Sequence, residues 1–261
     1  MTDKDAMRER LVALALACVL AIAGCASVES PRRPNAVPEI LPGLLQGYLA
    51  GNELPNSLRL LPPPPAAGSS AFARDREASR ESLAQRGTPR WEQAVTDADL
   101  RFPAAAGSFA AALGFQVTEQ DTPHLYILLR RTLTDAGLAT YAAKNHYDRA
   151  RPFTFNKEPT CTPEEEKLLR TDGSYPSGHT SVGWAWALIL TEVVPERADA
   201  ILGRGLEFGE SRVVCNVHWQ SDVDAGRLIG AAAVARLHAD AAFRADLDQA
   251  RAEVKRVAAR R

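Results

Sequence analysis

From about residue 70 onward, the hydrophobic and polar positions of the chain follow a helical pattern. Ala, Leu, Glu, Arg and Gln are abundant there, and runs of β-branched residues long enough for a strand are few. These residue types favour helices over a sheet. The pattern predicts helices over residues 71–86, 90–98, 100–112, 121–136, 137–147, 162–170, 179–194, 196–211, 217–238 and 240–258.

One segment, Val182–Val194, is almost entirely apolar and contains Trp184 and Trp186. A helix that is hydrophobic around its whole circumference is buried inside a protein. We therefore expect an all-α fold, in which a single-domain helical bundle is built around this central apolar helix.

Prolines dominate the stretch that precedes the predicted bundle. Residues 26–70 contain Pro31, Pro34, Pro38, Pro42, Pro55 and the run Pro62–Pro65. Because proline lacks an N–H donor and fixes φ, this stretch resists long helices, and only Leu41–Leu49 is predicted to form one short helix. We interpret residues 25–69 as a tether and proline-rich lead-in to a helical domain over residues 70–261.

The N-terminus is typical of an exported protein. Three basic residues precede an unbroken apolar run of 13 residues, Leu11–Ala23, which is too short to span a bilayer and matches a secretory signal. The run ends in Ile22-Ala23-Gly24-Cys25, which resembles a bacterial lipoprotein signal and predicts removal of residues 1–24 and a lipid on Cys25. The alternative is an ordinary signal peptidase site and a free protein. Either way we expect a periplasmic location, with an outer-membrane anchor where Cys25 is lipidated.

The balance of charges limits the kinds of molecule that the chain is expected to bind. The 31 Lys and Arg nearly balance the 32 Asp and Glu, which gives no sign of nucleic-acid binding or of a polybasic membrane surface. A membrane is thus expected to be contacted only through Cys25.

In an oxidising compartment Cys161 and Cys215 form a natural disulfide pair, although two separate buried thiols remain the alternative. No Cys or His cluster has metal-ligand spacing, so neither a metal nor another cofactor is expected.

Lys144 and Arg151 form the first of three motifs that carry chemistry. On a helix, residues seven apart lie on one face, and Pro152 would end or redirect that helix. Arg151 offers a planar fork for two phosphate oxygens and Lys144 a point charge. The alternative is a solvated basic face, because Arg149 also lies here.

The second motif, Ser177-Gly178-His179, opens the apolar helix. Unpaired N–H groups at a helix start bind anions, Gly178 allows close approach of the backbone, and Ser177 adds a hydroxyl donor. His179 would then protonate a departing oxygen. The alternative is a serine N-cap followed by an ordinary histidine.

The third motif combines Arg212 with His218 and Asp222. On a helix, His218 and Asp222 would be neighbours, so that Asp222 accepts a hydrogen bond from one ring nitrogen and leaves the other with a free lone pair. Arg212 adds a second guanidinium. The alternative is a surface His–Asp pair.

Together the three motifs predict phosphoryl transfer, which requires positioning and charge stabilisation over three equatorial oxygens. Lys144, Arg151, Arg212 and the N–H groups near Gly178 supply the charge. His218 attacks phosphorus and forms a phosphohistidine, while His179 protonates the leaving alcohol and then activates water.

The motifs resemble those shared by type-2 phosphatidic acid phosphatases, bacterial nonspecific acid phosphatases and vanadium haloperoxidases. The longer stretches Leu60–Pro65, Gly173–Thr180, Gly209–Cys215 and His218–Asp224 resemble class A bacterial nonspecific acid phosphatases. The resemblance implies a helical fold, an acidic optimum, use of many small phosphate monoesters, no required metal and frequent homo-oligomers. It implies catalytic roles for His218, His179 and Asp222, and phosphate binding by Lys144, Arg151, Ser177, Gly178 and Arg212.

Two other functions are compatible with these residues. A vanadate-dependent haloperoxidase would use the same pocket, because vanadate copies the trigonal-bipyramidal phosphate. A phosphate-binding lipoprotein without turnover would need the cations but neither a paired His218 and Asp222 nor an acid at His179, so the motifs favour the enzyme.

Overall fold

The computed structural model describes Pro34 and residues 36–259. The predicted signal sequence, residues 1–24, and the predicted lipidation site Cys25 lie outside the described residues. Within them, helices follow one another along the chain after a small hairpin, and three short 3-10 segments link some of them.

The elements are numbered here in chain order. The hairpin consists of β1 (Glu39–Leu41) and β2 (Leu44–Leu45). The helices are α1 (Ser57–Leu60), α2 (Ser70–Leu83), α3 (Pro89–Ala98), α4 (Ala110–Leu113), α5 (Pro123–Leu138), α6 (Tyr141–Tyr147), α7 (Pro152–Asn156), α8 (Glu166–Leu169), α9 (Gly178–Val193), α10 (Ala198–Val214), α11 (Gln220–Leu237) and α12 (Ala241–Ala258). The 3-10 segments are Ala104–Phe109, Pro163–Glu165 and Pro195–Arg197.

Helix α9 is the central apolar helix that the sequence predicts. It packs against α5, α10 and α11, and α12 packs on α5. Trp186 is fully buried at its middle, and its indole N–H donates to the Leu129 carbonyl of α5 at 2.9 Å. Burial of the ring with its one polar group satisfied fits a core role. The all-α prediction is confirmed.

Glycines allow α11 to approach α9 closely. A Cβ on Gly226 would lie 2.6 Å from the Ser177 carbonyl oxygen, and one on Gly230 would lie 2.4 Å from that of Ser181. No side chain fits at such distances. The contact fixes the N-terminal end of α9 against α11, which brings the second and third motifs together.

The prediction of a helix over Leu41–Leu49 is wrong. Residues Glu39–Leu41 and Leu44–Leu45 pair antiparallel instead, and Gly43 turns the chain with a φ of 81°. Pro42 cannot continue a helical hydrogen-bond ladder, and Gly43 adopts the left-handed conformation at little cost. The predicted helix 100–112 is likewise shortened to the 3-10 segment and α4.

Cys161 and Cys215 form the predicted disulfide, with their Cα atoms 4.7 Å apart. The bridge joins the loop before α8 to the end of α10, three residues before His218. Between residues 36 and 259, no helix combines the length and apolarity that a membrane crossing requires.

Candidate active site

Residues from all three motifs line one cavity of about 390 Å³. Cavities of about 620 Å³ and about 450 Å³ lie elsewhere, but neither brings a histidine together with the basic residues of the motifs. The motif residues that line the cavity of about 390 Å³ are Lys144, Arg151, Gly178, His179, Arg212 and His218.

Lys144 and Arg151 converge, but they do not share a helix face as predicted. Helix α6 ends at Tyr147, and Arg151 has the extended backbone of an N-cap before Pro152. A residue before proline disfavours the helical conformation, which explains the break. The two side chains meet at a carboxylate that the sequence analysis missed, because Asp172 Oδ2 accepts from Lys144 Nζ at 3.2 Å and from Arg151 Nη2 at 2.8 Å.

Both cations of the first motif are buried. Burial, followed by the neighbouring Arg151 charge, lowers the pKa of Lys144 to about 8. Arg151 donates further hydrogen bonds to the carbonyl groups of Leu169, Asp172 and Val217. Its guanidinium is therefore held in a fixed orientation at the cavity wall.

Ser177 is the N-cap of α9, as the alternative interpretation of the second motif predicted. Its hydroxyl accepts from Thr180 N at 3.3 Å and from Thr180 Oγ1 at 2.9 Å, and the side chain does not line the cavity. Its backbone N–H donates to the Asp222 carbonyl at 2.9 Å. Gly178 and His179, the first two helical residues, do line the cavity, so the positive end of α9 borders it.

His179 is oriented by a main-chain group that no side-chain pattern could predict. Its Nε2 lies 2.9 Å from the carbonyl oxygen of Ala98, the last residue of α3. Because a carbonyl only accepts, Nε2 carries the hydrogen and Nδ1 has the lone pair. Burial and then the Arg212 charge lower the pKa of His179 well below its usual value, against the opposing effect of the Ala98 hydrogen bond.

His218 lies just before α11 and not within it, which corrects the predicted helical pairing with Asp222. Trp219 is the N-cap, and Asp222 Oδ2 accepts from the Trp219 N–H at 2.8 Å, as residues at this position of a helix commonly do. The same oxygen lies 3.3 Å from His218 Nδ1. The predicted partnership therefore holds, although a capping arrangement produces it.

The other ring nitrogen of His218 faces the cavity cations. Nε2 lies 3.1 Å from Arg151 Nη1, which donates to it. Burial, followed by the charges of Arg151, Lys144 and Arg212, lowers the pKa of His218 well below its usual value. The ring is consequently neutral, with its hydrogen on Nδ1 and its lone pair on Nε2.

Arg212 is almost fully buried and lines the cavity. Its Nε and Nη1 atoms have no hydrogen-bond partner within the described chain. Burial lowers its pKa to about 10. Buried donors left unsatisfied are costly, and they mark a place where an anion would be bound strongly.

The comparison with known proteins fits this cavity. A model of the PAP2 superfamily matches residues 124–245. The chain is 47% identical over 207 residues to a non-specific acid phosphatase of Providencia stuartii, with 79% of this chain and 84% of the relative covered. It is 45% identical over 211 residues to the corresponding protein of Salmonella typhimurium, with 80% and 84% covered.

The chain belongs to the class A bacterial non-specific acid phosphatases. It is an enzyme of the phosphoric monoester hydrolase class. Among solved structures, a bacterial vanadium-dependent iodoperoxidase has the same fold, with a TM-score of 0.53 and 16% identity. The match covers 80% of this chain and 59% of that chain, and at this identity it supports the fold alone.

Behind His218, this acid phosphatase contains a buried ionic network. Arg149, whose surroundings could have formed a solvated basic face, has a side chain that is only 9% exposed. It donates to Asp222 Oδ1 at 2.5 Å and to Asp75 Oδ2 at 2.7 Å. Sequence reasoning missed Asp75, which lies on α2, because no motif connects it to residues so far along the chain.

The remaining wall of the cavity in this acid phosphatase is largely apolar. Its side chains come from α5, α8, α9 and the segment after α3 and include Leu100, Leu133, Leu168, Leu169 and Val182. Tyr141 and Glu165 are also part of the lining. Among the described residues, no group of three or more His, Cys, Asp or Glu side chains is arranged to share a metal ion.

Proposed function

We propose that this protein is a metal-independent acid phosphatase that hydrolyses a broad range of phosphate monoesters through a phosphohistidine intermediate on His218. The observation that carries this proposal is the setting of the His218 ring. Asp222 backs Nδ1 at 3.3 Å, while Nε2 faces the cavity beside Arg151. This is the geometry of an activated, neutral imidazole nucleophile.

Phosphate binding begins with the cations. The unsatisfied Nε and Nη1 donors of Arg212 bind phosphoryl oxygens, together with Lys144 and Arg151. Arg151 transfers its Nη1 hydrogen bond from His218 to the phosphate, which frees the Nε2 lone pair. Donors that are already in place before the reaction stabilise the charge of the transition state without further reorganisation.

The first chemical step forms the intermediate. His218 Nε2 attacks phosphorus, the N–P bond forms and the bond from phosphorus to the leaving oxygen breaks. Protonated His179 gives its Nδ1 hydrogen to that oxygen, while its Nε2–H stays on the Ala98 carbonyl. Asp222 stabilises the positive charge that the His218 ring gains.

The second step releases phosphate. Neutral His179 takes a proton from water through Nδ1, the water oxygen attacks phosphorus and the N–P bond to His218 breaks. An alcohol that takes the place of water receives the phosphoryl group instead. A phosphotransferase side activity therefore follows from the same site.

The lowered pKa values favour turnover in acid. His218 must be neutral to attack, and its depressed pKa keeps it neutral well below pH 6.5. His179 must be protonated, and its depressed pKa requires acid, an effect that the bound phosphate dianion partly offsets. We expect a bell-shaped profile on the acidic side of neutrality.

Broad substrate use is supported by the apolar part of the cavity wall. Leu100, Leu133, Leu168 and Val182 make much of the lining apolar, beside the polar side chains of Thr140, Tyr141, Glu165 and Thr171. A wall of this kind discriminates weakly between leaving groups, because apolar contacts carry little directional information.

We also propose a periplasmic location, with a lipid anchor on Cys25. The N-terminal sequence pattern supports both, and the Cys161–Cys215 disulfide fits an oxidising compartment. Metabolic labelling with a radioactive fatty acid tests the anchor, with Cys25→Ser as the control. Label that persists in Cys25→Ser would contradict it.

The mechanism is tested by trapping the phosphoenzyme. The purified protein is mixed with p-nitrophenyl phosphate at acidic pH with EDTA, quenched in base and digested for mass spectrometry. We expect turnover that survives the chelator and a base-stable phosphate on His218. His218→Ala should abolish both, whereas His146→Ala, a histidine outside the cavity, should leave both intact. Loss of turnover with EDTA, or phosphate on another residue, would overturn the proposal.

A further inference from the structure

Three charged side chains from distant parts of the sequence form a buried chain behind His218. Asp75 comes from α2, Arg149 from the loop after α6 and Asp222 from the first turn of α11. The guanidinium lies between the two carboxylates, at 2.7 Å from Asp75 Oδ2 and 2.5 Å from Asp222 Oδ1. The side chains of Asp75 and Asp222 are 3% and 0% exposed.

Ser221 ties this network to the start of α11. Its N–H donates to Asp75 Oδ1 at 2.8 Å and its hydroxyl donates to Asp75 Oδ2 at 2.6 Å. Arg149 Nη1 donates to the same hydroxyl at 2.8 Å. Asp75 therefore holds both the guanidinium and the backbone of the turn that follows the nucleophile.

The network occupies the part of Asp222 that His218 leaves free. Oδ2 of Asp222 is used by His218 Nδ1 and the Trp219 N–H, and Oδ1 is used by Arg149. The carboxylate cannot rotate without breaking one of these bonds. Its orientation, and so the hydrogen on His218 Nδ1, depends on where Arg149 is held.

We propose that Asp75 and Arg149 are positioning residues of this acid phosphatase, which fix Asp222 and the charge behind His218 for attack on phosphate. This inference rests on the proposed phosphohistidine mechanism. Two carboxylates and one guanidinium leave a net charge of about −1 behind a ring that becomes positive when the N–P bond forms. Without the Asp75 charge, Arg149 would neutralise Asp222 and remove that support.

Packing alone gives a weaker account of the network. Replacement of buried ion pairs by apolar side chains is often neutral or stabilising, so three buried charges are a poor choice for stability alone. Their direct attachment to the partner of the nucleophile indicates a role in the reaction.

The net negative charge of the network also counteracts the effect of the neighbouring cations on the pKa of His218. The charged and titratable groups that face the His218 ring are Lys144, Arg151, Arg212, His179 and Asp222. Loss of the Asp75 charge leaves the cations less opposed, so the pKa of His218 should fall further. The acid limb of the kcat/KM profile should then move to lower pH.

The test compares Asp75→Asn with Glu253→Gln in the full chain. Glu253 is a matched control, because it is also buried and accepts two backbone N–H groups, from His124 and Leu125, outside the cavity. We expect Asp75→Asn to lower kcat about 10-fold to 100-fold, as outer partners of reacting groups do, with little change in KM. Its acid limb should shift downward, and less phosphohistidine should accumulate in quenched-flow samples. Glu253→Gln should match the wild type in all three.

A folded Asp75→Asn variant with the kcat and acid limb of the wild type would overturn the inference. Arg149→Lys is the second variant, because it keeps the charge but not the fork that joins Asp75, Asp222 and Ser221. It should lower kcat without moving the acid limb. If neither variant folds while Glu253→Gln does, the network is structural and the positioning role is wrong. Absence of phosphohistidine in the wild type would instead refute the mechanism itself.

Discussion

The two histidines of the cavity are held by different kinds of partner. His218 Nδ1 faces the Asp222 carboxylate, whereas His179 Nε2 donates to the uncharged carbonyl of Ala98. In the proposed reaction His218 becomes a positively charged phosphorylated ring, and His179 must both give and take a proton. A negative partner suits the first task. A neutral partner suits the second, because it fixes the ring and raises the pKa only against the larger lowering effects of burial and the Arg212 charge, so that the ring can still lose its proton.

The support behind each partner differs in the same way. Asp222 belongs to the ionic network of Asp75 and Arg149. The Ala98 carbonyl follows Asp97, whose carboxylate accepts from Gln93 Nε2 at 2.9 Å and from Ser211 Oγ at 2.6 Å, and which is also bonded to Arg204. Ser211 thus anchors α3 to α10 beside Arg212. The partner of each histidine is thus supported by a buried aspartate that takes no part in the proposed reaction, Asp75 behind His218 and Asp97 behind His179.

The largest effect is expected for Asp222→Asn. Loss of the carboxylate favours the wrong tautomer of His218, and kcat should fall by about 10⁴-fold, as in triads whose aspartate is changed to asparagine. The loss should be similar for p-nitrophenyl phosphate and for alkyl phosphates, because Asp222 acts on the attacking nitrogen and not on the leaving oxygen. Steady-state kinetics with both substrates checks this, and a loss confined to alkyl phosphates would contradict the role of Asp222.

His179→Gln should show the opposite dependence on the leaving group. General acid catalysis contributes about 10²-fold to 10⁴-fold. The rate of phosphoenzyme formation should fall by that factor with an alkyl phosphate and far less with p-nitrophenyl phosphate, whose phenolate departs without a proton. Rapid-quench measurement of the burst separates this step from hydrolysis. Equal losses with both substrates would show that His179 is not the acid.

Arg212→Met should lower kcat/KM by about 10²-fold to 10³-fold, because two donors aimed at the phosphate are lost. It also sharpens the comparison of the two histidines. Among the neighbouring charges, Arg212 lowers the pKa of His179 the most, whereas its effect on the pKa of His218 is smaller than those of Arg151 and Lys144. Its removal raises both pKa values, and the basic limb of the kcat/KM profile should move upward more than the acid limb. A larger movement of the acid limb would reverse this assignment.

The smallest effect is expected in the pH dependence of the free energy of unfolding. The pKa of His218 is lowered on folding, so the unfolded chain binds more protons below its usual value of about 6.5. This contribution to the free energy of unfolding is complete above that pH and is lost as the pH falls. Asp135, whose pKa is raised to about 6 by burial, acts in the opposite direction between its usual value and pH 6.

Melting temperatures at pH 7.5 and 5 without phosphate isolate the histidine. The wild type should lose more stability on acidification than His218→Gln, since both proteins retain Asp135. Equal losses would mean that His218 is not held neutral. Added phosphate should reduce the loss in the wild type by raising the pKa of His218.

The sequence predicted the convergence of the three motifs because each motif carries its chemistry in side chains. It misjudged their local geometry. Lys144 and Arg151 meet across a helix break at Asp172, and His218 and Asp222 meet through a helix cap. The helical period gave the right neighbours for the wrong reason, since a cap and a bridging carboxylate also join residues four and seven apart.

The supporting groups escaped prediction for a different reason. Ala98 acts through its main chain, which every residue possesses, so no side chain marks it. Asp75 is 74 residues from Arg149, and nothing in the local pattern links the two. Most helices followed from composition and periodicity. The prediction failed near Pro42 and Gly43, where backbone conformation outweighed the apolar run, and over residues 100–112, where only the 3-10 segment and α4 form.

The close contact of Gly226 and Gly230 with α9 has a consequence for attempts to redesign this enzyme. Any larger residue there would push the start of α9 away from His218, so the part of the cavity between α9 and His218 should tolerate little sequence variation. Tyr141 and Leu168, at 44% and 71% exposure, border the same cavity without such a constraint. Selection for new substrates should therefore accumulate changes at Tyr141 and Leu168 and leave Gly226 and Gly230 unchanged. The entrance of the cavity would then vary while the end that holds His218 stays constant.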